Sequence, residues 1–151
     1  MSIVTFGELL DRAAEFERRL ERYYAALRDE TEDSGVRLLT YYLSRHRWHL
    51  REALESLSPE QVARIREIRL KYDVPFHPES DFHLMKTPSK EVRGRPLLEA
   101  AVGYDEQLVK LYKSIIDQPL RDEARGFLEA LIRLEEKDIV MLKKMIAMDY
   151  F

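Results

Sequence analysis

Four stretches of this chain repeat apolar residues at steps of three and four, and a carboxylate or a histidine breaks each stripe near its middle. Such spacing places the apolar side chains on one face of a helix. The first stripe is Phe6, Leu9, Leu10, Ala13, Phe16, Leu20, Tyr24 and Leu27. The second is Val36, Leu39, Tyr42, Leu43, Leu50, Ala53, Leu54 and Leu57. The third is Leu98, Ala101, Val102, Leu108, Tyr112, Ile115 and Ile116, and the fourth is Phe127, Leu128, Leu131, Leu134, Met141, Leu142 and Met145. Long helices with one apolar face bury it against one another, so the spacing predicts a single all-α domain over residues 1–151. Five glycines and six prolines are too few for a turn-rich β fold.

Local signals set the expected ends. Thr5 and Glu8 form a capping-box pattern for a helix running to about Asp29. Glu32, Asp33, Ser34 and Gly35 make a polar turn, and a second helix continues to about Leu57. Ser58-Pro59-Glu60-Gln61 opens a shorter helix to about Tyr72. Residues 73–96 hold four prolines and read as an irregular crossover packed on the helices. A third helix covers Leu97 to Asp117, Gln118-Pro119 breaks it, and a fourth reaches about Met148. The order is hairpin, long crossover containing a short extra helix, hairpin, which predicts an antiparallel four-helix bundle.

The interrupting residues are Glu17, His46 with His49, Asp105, and Glu135 with Asp138. They obey an internal repeat. Adding 88 carries Glu17 onto Asp105 and Tyr24 onto Tyr112; adding 89 carries His46 and His49 onto Glu135 and Asp138. Residues three apart share a helix face, so the six side chains are expected in one layer of the core. Carboxylates buried together lose hydration and repel each other. Metal, imidazolium or arginine offsets that, and this oxygen and nitrogen set suits iron, manganese or zinc.

In helix order, in the Glu17/Tyr24 and Asp105/Tyr112 spacings, and in the His46-x-x-His49 and Glu135-x-x-Asp138 pairs, the chain resembles the ferritin-like, rubrerythrin-like di-iron carboxylate family. The resemblance covers nearly the whole chain. It implies a ferritin-like bundle that handles iron, oxygen or peroxide between the helices, with Glu17, His46, His49, Asp105, Glu135 and Asp138 as ligands. It also implies an external electron donor, because the cysteine-bound iron domain that accompanies many rubrerythrins is absent. Three positions depart from the family: His46 stands for Glu, Asp105 for Glu and Asp138 for His. Imidazole does not bridge two metals as a carboxylate does, so a single ion on His46, His49 and one or two carboxylates stands beside the di-iron reading. Glu106 is the alternative if the third helix is turned by one residue.

The plainer alternative is a non-catalytic bundle whose metal-free polar core sets helix register while its surface binds a partner or a second copy. Tyr24 and Tyr112 then pack with their hydroxyls bonded to carboxylates. His77 and His83 read as loop residues, and Arg45, Arg47 and Arg51 as a solvated face. A net charge of −3 gives no general attraction for nucleic acid or anionic membrane. The absence of cysteine removes disulfides, thiolate zinc and a cysteine nucleophile. With no signal-peptide pattern and no membrane-length apolar run, a cytoplasmic location is the expectation, and pairing of two bundles into a homodimer is expected of this class.

Overall fold

A computed structural model describes residues 4–45, 48–78 and 84–149. His46 and His83 lie outside the described residues. Among the described residues the protein is all-helical, and the one backbone bridge between extended segments joins Thr5 to Arg69. No described helix is long and apolar enough to cross a membrane.

The first hairpin follows from capping chemistry. Helix α1 is Phe6–Glu30, and Thr5 accepts the Glu8 N–H on its hydroxyl at 3.2 Å. Thr31 to Asp33 turn the chain into α2, Ser34–Arg45, which folds back along α1. Asp33 Oδ1 accepts from Gly35 N at 2.8 Å and Val36 N at 3.2 Å, satisfying the first donors of α2. Arg37 donates to the carbonyls of Arg28 and Thr31 and closes the turn.

The expected second helix to Leu57 is instead two. Helix α2 ends at Arg45 and α3, His49–Glu55, starts anew after Trp48, whose φ −84° and ψ 37° leave the helical region. No proline or glycine marks the break. Between Leu43 and Leu50 the chain carries no aliphatic residue. Helix α4, Pro59–Arg66, has the full Ser58/Gln61 capping box. It stops short of Tyr72 because the chain turns to pair with the N-terminal segment: Phe6 N donates to Ile68 O and Leu70 N to Val4 O, both at 2.8 Å. A Cβ on Gly7 would sit 3.0 Å from Arg66 Cβ and the Arg66 carbonyl, so glycine permits this close approach of α1 to α4.

The crossover is strapped down. Arg12 holds Asp73 at 2.7 Å and the Val74 carbonyl at 2.9 Å, and Phe76 meets Phe16 edge-on at 5.6 Å. Gln118, buried where the third stripe ends, accepts from Lys71 N and Tyr72 N and donates to Tyr72 O at 2.8 Å. Helix α5, Gly94–Ile116, begins three residues earlier than the sequence suggests, since Pro96 sits in its first turn where a missing N–H costs nothing. Helix α6 is Asp122–Ala147. α5 packs along α6, α2 against α5, and α3 against α6 and α1. Phe6, Leu9, Leu27, Leu97, Leu98, Ile115, Leu128 and Leu131 make the dry core.

Candidate metal centre

Each helix brings its polar residue inward for the reason its stripe is apolar. Glu17 lies one turn from Ala13 and Leu20, Asp105 one turn from Ala101 and Leu108, and Glu135 one turn from Leu131, all buried. A residue locked into a buried stripe has no rotation open to it that keeps the rest of the stripe in the core. Glu17 is 2% exposed, Asp105 7%, Glu135 0% and His49 8%. Glu106, by contrast, faces outward beside Lys143, 3.9 Å away, so the helix turn that places Asp105 inside is the one adopted.

His49, Asp105 and Glu135 form the tight group, with one donor atom from each within 4.8 Å of the others. His49 Nε2 lies 3.5 Å from Asp138 Oδ2 and 3.9 Å from Glu135 Oε2. Two ligands of one zinc-like ion stand roughly 3–3.5 Å apart when each bond is about 2.0–2.2 Å. Small rotations of these side chains therefore suffice to converge on one ion. Glu17 does not join that group, yet its charge bears on Glu135 and Tyr112, so it belongs to the same layer. Five of the six sequence-predicted residues thus meet in one region, and the sixth, His46, is outside the described residues.

The electrostatics are those of carboxylates crowded together under burial. Burial raises Asp105 well above the ordinary range; a proton shared with Asp138 and the nearby charge of Glu135 push the same way. Burial likewise raises Glu135, followed by the charges of Glu17 and Asp138, while the hydrogen bond from Asp105 opposes the rise. Tyr112 and Tyr24 are raised by burial and then by these carboxylates, Glu135 first for Tyr112 and Asp105 first for Tyr24. Among the described residues His49 Nε2 and the Tyr112 hydroxyl are buried without a hydrogen-bond partner, and Asp105 and Glu135 have one another and Asp138. Each such atom costs about 1–3 kcal/mol. Protons shared among the carboxylates, or a cation between them, would remove that cost. The donor set therefore fits a divalent first-row metal, with His49, Asp105 and Glu135 nearest and Asp138 beside them.

Two surface pockets reach the layer beside α3. A pocket of about 330 Å³ is walled by Trp48, His49 and Glu52, and another of about 340 Å³ by Glu17, Trp48 and Leu50. Both share Arg51 and Glu55, which pair at 3.2 Å, and the Arg51 guanidinium lies 5.4 Å from the Trp48 ring. The sequence carries no proline or glycine that foretells the break between α2 and α3. Tyr104 is buried edge-on against Phe16 at 5.6 Å. No protein-family model, no characterised protein and no solved structure matches this chain.

Proposed function

We propose that this protein binds a divalent first-row metal between its helices, on His49, Asp105 and Glu135, with Asp138 and Glu17 beside them. The observation that carries the reading is the buried cluster itself: donor atoms of Asp105, Glu135 and the His49 imidazole lie within 4.8 Å of one another, with the two acids crowded together under burial. Iron fits the proposed ferritin-like, rubrerythrin-like four-helix arrangement; manganese and zinc share the donor preference. The compact group of three favours one ion over two, since Glu17 stands apart from it. Bound iron or manganese would supply electron exchange with oxygen or peroxide, with an external donor restoring the electrons. The chain's own part is to exclude water with Leu108, Leu131 and Leu142, to hold a proton on the Tyr112 hydroxyl beside Glu135, and to admit a small molecule past Trp48.

A second reading has its own support. Burial and the neighbouring acids raise both Asp105 and Glu135, and a proton shared between carboxylates satisfies part of the cluster without metal. The protein would on that reading be a structural or partner-binding bundle. Equilibrium dialysis against ferrous iron, manganese and zinc under anaerobic conditions separates the two. Saturable binding lost in His49→Ala supports the metal reading, and no binding of any of the three supports the structural one.

A further inference from the structure

We propose that the groove over the outer face of α2 is a binding site for a medium-chain carboxylate, a site separate from the polar layer and independent of the metal reading. The groove encloses about 870 Å³, within the size range of small-molecule pockets, and Leu38, Leu39, Tyr41, Tyr42 and Met145 line it. Leu38 is 71% exposed and Tyr41 57%, so this part of α2 offers its apolar side chains to solvent. An aliphatic tail laid along them would bury that surface.

The head group is identified by Arg28, which reaches the same groove from α1. Its Nε donates to Thr40 Oγ1 at 3.1 Å, and its Nη2 to Ser44 Oγ at 2.8 Å and to the Thr40 carbonyl at 3.2 Å. Its guanidinium carbon sits 4.1 Å from the centre of the Tyr41 ring. Neutral groups thus hold the cation in place, and among the described residues no carboxylate forms an ion pair with it. Nη1 makes none of these bonds. A guanidinium fixed in advance loses little freedom when it takes up an anion, and Nη1 is left to donate to a carboxylate oxygen. Among the described residues exposed Arg45 lines the groove as a second cation beside Arg28, and Asp149 is the one acid, so this described lining carries 2 − 1 = +1. The apolar floor disfavours a bare inorganic anion, and the fixed cation disfavours a neutral lipid.

Isothermal titration calorimetry on the full chain tests this with octanoate, decanoate and dodecanoate below their micelle concentrations, and with decanol and acetate as tail-only and head-only probes. The expected result is one saturable site whose affinity rises up to about fourfold per added methylene. Decanol and acetate are each expected to bind about tenfold or more weaker than decanoate. Leu38→Asp and Arg45→Glu, both on the surface, should weaken decanoate binding while leaving the helical circular dichroism unchanged. Absence of saturable dodecanoate binding overturns the proposal, and so does decanol binding as tightly as decanoate. A dimer in analytical ultracentrifugation that Leu38→Asp dissolves and dodecanoate does not compete with also overturns it, since the groove then belongs to a second copy of the chain.

Discussion

Replacing Glu135 with glutamine keeps the shape of the side chain and removes one charge from the centre of the polar layer. In the metal-free protein Glu135 and Asp105 both have raised pKa values, against ordinary values of 4.5 and 3.8. The folded protein therefore keeps protons that the unfolded chain has already released. Stability from this source is fully present below the unfolded values and is lost as pH rises towards the folded ones. Each retained proton costs about 1.4 kcal/mol per pH unit over that window. Two retained protons give a slope of at most about 2.7 kcal/mol per unit, and Glu135→Gln removes one of them. It also removes an acid that would, on ionising, raise Asp105 further, so the slope should fall to half or less. The variant should then melt above the parent at pH 8, by about 2–4 °C for each kcal/mol recovered in a chain of this size. The assay is thermal denaturation of chelator-treated protein from pH 5 to pH 8, parent and variant side by side, so that the surface carboxylates common to both cancel. Parallel slopes, or a metal-free parent whose stability rises across this range, would refute the argument.

Saturating metal should act oppositely. At a hundredfold excess over Kd it adds about 2.7 kcal/mol, or roughly 5–10 °C in Tm, and a chelator should remove the gain. His49→Ala should abolish this gain, read by the same melts with and without ferrous iron. Tyr112→Phe removes a buried hydroxyl that has no partner, so the metal-free protein should change by less than about 1 kcal/mol in urea denaturation. Gln118→Ala strands Lys71 N, Tyr72 N and Tyr72 O and should cost about 2 kcal/mol by the same measurement.

The helices were legible where many apolar contacts repeat one period. The α1 and α6 stripes predict their helices to within a few residues of the ends, because each inward residue confirms the phase of its neighbours. Inward placement of Glu17, Asp105 and Glu135 was legible for the same reason. The break at Trp48 was not, because no proline or glycine stands between Leu43 and Leu50. The end of α4 at Arg66 depends on pairing with Val4 and Phe6, some 60 residues away, which no local pattern records. Gln118 reads in sequence only as a helix-breaking neighbour of Pro119. Its role as the anchor of the crossover appears once Lys71 and Tyr72 stand beside it. The groove on α2 escaped notice because Leu38 and Tyr41 lie off the stripe, where single exposed apolar residues carry no signal.

The central claim is that the buried imidazole and carboxylates hold a metal ion. Elemental analysis of protein reconstituted anaerobically with ferrous iron and then freed of excess, with His49→Ala and Glu135→Gln alongside, tests it most directly. The account predicts close to one ion per chain in the parent and little in either variant. No bound metal in the parent, or equal metal in all three, would contradict it.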